Sequence, residues 1–186
     1  VIHKYGRQYL NPWMKSGTKD MVIGGDRSPV KLSRSEELTC RALLEKPEAK
    51  FKELNKMTGL TFKTVSSKIK NLKNRKIIRK FEPILNCDKL KITNKILLVK
   101  YSEYDVLNEN KLTNFCKSNL EVVSSMKTFG SWDLIILFES LKEDKFDNFM
   151  TTLREEYEEL IEDFEIISVK NKEKFSYLPT NHFKIK

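Results

Sequence analysis

A chain of 186 residues, 39% hydrophobic and 33% charged, has room for one domain or two small ones and the composition of a globular, soluble protein. Its longest apolar run, "LIILF" at 134–138, is too short to span a membrane, and no charged-then-apolar signal peptide opens it. The net charge of +9 is unevenly spread: residues 46–80 carry twelve Lys/Arg against two Glu, whereas 101–165 carry six Lys/Arg against sixteen Asp/Glu. A basic block confined in this way is a candidate electrostatic footprint for nucleic acid. Cys40, Cys87 and Cys116 are odd in number and form no CxxC pair. Neither a disulfide framework nor a metal site is expected, no cofactor is called for, and a reducing cytoplasm is the expected compartment.

In chain order, residues 11–33 hold two Pro, three Gly and small polar residues without a sustained period, which reads as a linker over 1–32. A first helix is predicted from Ser33, whose spacing to Glu36 is that of a capping box; Leu38, Ala42 and Leu43 form its buried face and Pro47 marks its end. "AKFKELNKMTG" predicts a second short helix with Phe51 and Leu54 inward, stopped at Gly59 by a positive φ. Thr61 is a suitable N-cap for a third helix, in which Val65, Ile69 and Leu72 share one stripe. "KIIRKFEPIL" at 76–85 reads as a strand, completing a winged helix-turn-helix over 33–90.

A second unit is expected over 91–186. Strands at 95–101, 122–129, 132–139 and 164–169 alternate with helices at 108–119 and 143–160. The order β-α-β-β-α-β is ferredoxin-like, so the fold class is α+β. Both faces of two strands are apolar: Trp132, Leu134, Ile136 and Phe138 oppose Ile135 and Leu137 on the third strand, and Ile96 and Leu98 oppose Leu97, Val99 and Tyr101 on the first. Helices cover one face of such a sheet. A second copy is the simplest cover for the other, which predicts a homodimer or a higher even oligomer. The first twelve residues, "VIHKYGRQYLNP", also align weakly with "VKNKEKFSYLPT" at 169–180. On that basis residues 1–12 are read as the tail of a preceding copy of the same unit, and the chain as the back half of a tandem protein.

A third helix that spends one stripe on its neighbours is free to lay the rest in the major groove of double-stranded DNA, about 12 Å wide. Thr61, Lys63, Thr64 and Ser67 lie at its N-terminal end, where base edges are reached, and Lys68, Asn71 and Arg75 follow. Thr64, Ser67 and Asn71 are the expected readers. Lys70, Lys73, Lys76, Arg79 and Lys80 are placed for flanking phosphates.

A winged helix-turn-helix followed by β-α-β-β-α-β resembles the Lrp/AsnC (feast/famine) transcriptional regulators. "GLTFKTVSSKIKNLKNRKIIRKFEPILN" is similar to the family's recognition helix and the segment after it. "FGSWDLIILFES" is similar to the Gly-x-x-Asp turn of its effector domain. The likeness covers roughly residues 33–180. It implies dimers joined through the effector domain, operator binding, and amino acids or related small molecules as effectors. Carried over by residue, the effector site falls on Gly130 and Asp133, with Ser131 and Trp132 between them. A glycine lets backbone N–H groups approach a carboxylate, and an aspartate can hold an ammonium. The same residues also read more plainly, as a turn made by Gly130 and capped by Asp133. Departures from the family pattern are Asn55, where many helix-turn-helix motifs have Ala, and Lys91, where the family often has Gly.

Two rival functions use the same architecture. One is an architectural or partner-binding module without operator specificity, which the lysine-rich third helix would also suit. The other is an enzyme like the siroheme decarboxylases, which resemble this family but rely on histidine and arginine in the effector-like region. This chain has His3 and His182 near its ends and, after Arg79, Arg154 alone, so a non-enzymatic role is expected.

Overall fold

The computed structural model describes residues 2–10, 21–24, 30–81, 85–103 and 105–170. Along the chain these form β1 (Ile2–Lys4), β2 (Met21–Ile23), α1 (Arg34–Glu45), α2 (Phe51–Thr58), α3 (Phe62–Asn74), β3 (Thr93–Tyr101), α4 (Val106–Ser118), β4 (Val122–Lys127), β5 (Leu134–Ser140), α5 (Asp144–Tyr157) and β6 (Ile161–Ser168). They divide into a helical unit, within 30–81, and a sheet unit that joins the described residues before 25 to those from Leu85 onward. The second unit therefore begins before residue 91, with the turn that Ile92 N–H closes on Cys87 O (2.8 Å).

In the helical unit the expected punctuation is realised. The Glu36 carboxylate accepts from Ser33 N–H (2.8 Å), opening α1. Gly59 has φ +69 and ends α2, its N–H donating to Asn55 O (2.8 Å). Thr61 caps α3 by accepting from Thr64 N–H. Ala42, Leu43, Leu54 and Val65 make the core, with Ile69 and Ile78 packed against it. Two expectations change. Phe51 does not turn inward but lies on the surface against Phe62. The strand expected over 76–85 is a turn at its start and irregular chain to Phe81, with 82–84 outside the described residues. Lys76 takes φ +56, and the N–H groups of Ile77 and Ile78 return to Leu72 O (2.9 and 3.2 Å), closing the end of α3. Ile78 thus serves the helical core, and packing overrides its β-branched preference.

The sheet unit contains the ferredoxin-like order β6-β3-β5-β4, fully antiparallel, with β1 and β2 added beyond β4. Leu97, Val99, Leu134, Ile136 and Phe138 point to one face and are buried against Leu112, Cys116, Phe146, Phe149 and Leu153 of α4 and α5. Burial among these residues pushes the Cys116 thiol up to about 12, so it behaves as a small apolar side chain. On the opposite face, cross-strand registers align Ile96 with Leu137 and Leu98 with Ile135; all four are only half-buried. Lys91, at a position where glycine was the family expectation, does adopt a left-handed φ of +52.

The linker reading of 1–32 is corrected by this sheet, because β1 pairs with β4 and β2 with β1. Three-residue strands carry too little periodicity to be read from sequence, and what fixes these is tertiary. Tyr5 is buried with its hydroxyl 2.6 Å from Ser125 Oγ. Arg7 Nε donates to the fully buried Glu139 carboxylate at 2.6 Å, and Tyr9 OH donates to it at 2.9 Å. Burial opposes the charge on Arg7, but the hydrogen bond and attraction of Glu139 outweigh it and raise the guanidinium above its ordinary value. Burial and the same carboxylate push the Tyr9 phenol up. The tandem-tail reading of residues 1–12 compares them with 169–180, most of which lie outside the described residues. Breaking a buried pair strands a charge, so Arg7→Ala should lower the stability measured by urea unfolding by about 3–5 kcal/mol. Tyr9→Phe should lower it by about 1 kcal/mol. In a Glu139→Gln background the cost of Arg7→Ala should shrink; equal costs in both backgrounds would show that the two groups do not act as a pair.

Candidate nucleic-acid interface

The recognition-helix candidate is held by one carboxylate. Glu36, buried at the start of α1, accepts from Ser33 N–H (2.8 Å) and Ser33 Oγ (3.0 Å) through one oxygen. Through the other it accepts from Asn71 Nδ2 (2.8 Å) and Arg75 NH1 (2.9 Å), both near the end of α3. Arg75 NH2 also donates to Lys31 O (3.0 Å). The backbone hydrogen bond from Ser33, helped by its hydroxyl and by Arg75, holds the Glu36 carboxyl below the usual glutamate range despite burial.

This geometry redistributes the expected site residues. Asn71 and Arg75, placed by sequence among the DNA-contacting side chains, are exposed and also bond Glu36, tying the end of α3 to α1. Thr61 and Thr64 are engaged with each other: the hydroxyls lie 2.9 Å apart and Thr64 N–H donates to Thr61. What remains on the face opposite Val65, Ile69 and Leu72 is a stripe of exposed Lys63, Ser67, Lys70 and Asn74. Asn74 was missed from sequence, although seven residues from Ser67 puts it on the same stripe. Lys68 is half-buried on the flank. Lys73 lies 5.5 Å above the Phe81 ring, while Lys76, Arg79 and Lys80 follow α3 as exposed cations. Asn55 has a specific use here. Oriented with its amide nitrogen on Phe51 O (2.9 Å), its oxygen accepts from Phe62 N–H (3.3 Å), tying the first residues of α2 and α3 together. An alanine could not make that bridge.

In the sheet unit the four effector candidates form the β4–β5 turn. Gly130 has φ +130, which favours glycine. The Asp133 carboxylate already holds a neighbouring ammonium group. Its Oδ2 accepts from Tyr101 N–H (2.9 Å) and lies 3.1 Å from Lys100 Nζ. Asp133 N–H donates to Val99 O, and Thr128 Oγ1 to Trp132 O, so Trp132 is held beside the turn by its backbone. Ser131 is exposed. The Asp133 side chain thus bonds β3, and the turn itself is closed by its backbone, with Thr128 N–H donating to Asp133 O (2.9 Å).

No protein-family model matches the chain. Among curated proteins it is similar to the HTH-type transcriptional regulator FL11 of Pyrococcus furiosus, 28% identical over 105 residues, 53% of this chain and 64% of that protein. FL11 of Pyrococcus abyssi is 25% identical over 130 residues, 67% of this chain and 81% of that protein. The match thus spans just under two thirds of the P. furiosus relative. Among solved structures, the transcriptional regulator NMB0573 of Neisseria meningitidis in complex with L-Met aligns with a TM-score of 0.70 and 17% identity, over 82% of this chain and 99% of that one. An AsnC family regulator from Agrobacterium tumefaciens aligns at 0.68 and 15%, over 83% and 100%. The chain is thus similar in sequence to the FL11 regulators and in fold to the AsnC family regulator. The expected fold class, helix-turn-helix helices and a ferredoxin-like sheet in one chain, therefore stands, without the strand expected as the wing among the described residues. Among the described residues, no helix is long and apolar enough to cross a membrane.

Because the folded-state value of Glu36 is depressed, its contribution is fully present above the ordinary glutamate value, near 4.3, and is lost as pH falls through the lower folded value. Glu36→Gln should destabilise the helical unit by roughly 1.5–3 kcal/mol at pH 7. The gap between wild-type and variant melting temperatures should begin to close below the ordinary glutamate value, about 4.3, and vanish only below the depressed folded value. A constant gap across that range would remove the ionised carboxylate from the account.

Proposed function

We propose that this protein is a transcriptional regulator that binds double-stranded DNA through α3 and reads an operator as a dimer. The observation that carries the reading is the outer stripe of α3, where Lys63, Ser67, Lys70 and Asn74 are exposed on a helix whose position is fixed from behind by Glu36. Cations for phosphates and short polar groups for base edges are the two kinds of contact a major-groove helix makes. The names of the FL11 relatives agree with this role. Dimerisation rests on the half-buried apolar face of Ile96, Leu98, Ile135 and Leu137, which a second sheet would cover. The role is non-catalytic and its compartment is the cytoplasm. An amino-acid effector belongs to the same reading, supported by the L-Met complex of the Neisseria relative. At the Gly130–Asp133 turn such a ligand's ammonium takes the place that Lys100 now occupies on Asp133, and saturation with each amino acid in a thermal-shift assay tests it.

The alternative, an architectural binder without operator preference, is favoured by the weight of lysine over arginine on α3. Selection of genomic fragments by the purified chain at about 0.15 M salt separates the two, since surface charges are screened beyond about 8 Å there. A two-fold symmetric enriched site supports the operator-reading dimer; uniform retention supports the architectural role. Lys63→Ala and Lys70→Ala should each flatten the log–log salt dependence by about one unit. Asn71→Ala should lower the melting temperature yet leave the ratio between operator and random DNA unchanged. A collapsed ratio in that variant would return Asn71 to the reading face.

A further inference from the structure

The helical unit carries an aromatic pair that the core does not use. Phe62, the first residue of α3, is 56% exposed, and Phe51, the first residue of α2, is 40% exposed. Their ring centroids are 4.6 Å apart with the planes tilted by 59°. Beneath them Leu54 and Val65 fill the core, so neither ring is needed there. The pair is also preorganised: Asn55 bonds the backbone of both residues, and each ring braces the other. A fixed phenylalanine left 56% exposed at the start of α3 therefore has a cost in water that its contact with Phe51 only partly offsets.

We propose that Phe62, braced by Phe51, reads the 5-methyl group of thymine in the major groove. The inference rests on the DNA-binding reading above and deepens it. Position supports it, because the first residues of a recognition helix are those that reach base edges. The neighbourhood supports it as well: Lys63 follows directly, and the exposed stripe of Lys63, Ser67 and Lys70 runs from the same end of α3. Such a setting suits a polyanion and disfavours an apolar protein partner. Two half-exposed rings are also far smaller than the roughly 1,200 Å² that a stable protein interface buries. Chemistry then narrows the ligand. A phenylalanine has no donor or acceptor, and among the groups that base pairs present in the major groove the thymine methyl is the apolar one. Phe62 can discriminate thymine from uracil, which differs by that methyl alone, and the polar residues of the stripe cannot.

The test uses the full chain and the site it selects, prepared once with thymine and once with deoxyuridine at every thymine. The Watson–Crick edges are the same in both. Wild type should bind the uracil site more weakly, by about fourfold for each methyl read and about fifteenfold where a symmetric site presents two, the worth of one buried methyl apiece. Phe62→Ala should bind both forms equally, at the uracil level, with an unchanged salt slope and a melting temperature lowered only slightly by loss of the ring pair. Phe51→Ala should reduce the thymine-to-uracil ratio without abolishing it. A wild-type ratio of one, or a Phe62→Ala variant that keeps the full ratio, overturns the inference and leaves the DNA-binding reading intact. Failure of the wild type to retain any DNA overturns both.

Discussion

The orientation of α3 depends on the Glu36 carboxylate. A stripe of Val65, Ile69 and Leu72 gives α3 something to bury, but hydrophobic contact is non-directional and permits a helix to roll or slide on its neighbours. The hydrogen bonds to Glu36 do not. Two come from the start of α1 and two from Asn71 and Arg75 on α3. They fix the far end of α3 while Asn55 and Thr61 fix its start. A buried carboxylate is ordinarily costly, but this one sits at the positive end of α1 with a guanidinium beside it. Polar groups on α3 are thereby divided between those that hold it and those that face out.

The sheet unit uses the same device for a different purpose. Glu139 is as buried as Glu36, but its partners Arg7 and Tyr9 lie about 130 residues earlier in the chain. They fasten the segment that carries β1 alongside β4, so β4 has a partner on both sides. The edges of the sheet become β2 and β6. On β6 the residues Glu162, Asp163 and Glu165 are exposed, and charges of one sign discourage another strand from adding there. The face that carries Ile96, Leu98, Ile135 and Leu137 stays half-buried.

How much of this was legible in the sequence follows from what kind of signal each feature leaves. Local signals were readable: Ser33 and Glu36 as a capping box, Gly59 as an αL stop, Thr61 as an N-cap, and the alternation through 134–138. These interactions close within a turn or two of chain, so spacing reveals them. Interactions that close over long separations were not. Nothing in the spacing around Asn71 announces its bond to the Glu36 carboxylate, 35 residues away. The hairpin of β1 and β2 is set by Tyr5, Arg7 and Tyr9 meeting β4 and β5, and nothing in a three-residue strand announces that. Phe51 was misjudged for a different reason. Hydrophobicity was read as burial, and the inference runs one way only.

Charge placement along α3 makes the last step. Helices that stand alone favour acids in the first turn, where the macrodipole is positive. The other helices obey: Glu36 and Glu37 in α1, Glu53 in α2, Glu109 in α4, Asp144 and Asp147 in α5. No acid occurs anywhere in α3, and Lys63 occupies its first turn. Lys63 and Lys70 then share a face with no anion between them to form the i,i+4 pairs that stabilise an ordinary solvated helix. Each choice is mildly unfavourable for the folded chain in water. All become favourable together against a polyanion, which supplies the missing negative charge along the length of the helix. A bias toward lysine in the sequence as a whole would not skip one helix when distributing its acids, so the exception is a property of the surface that α3 presents.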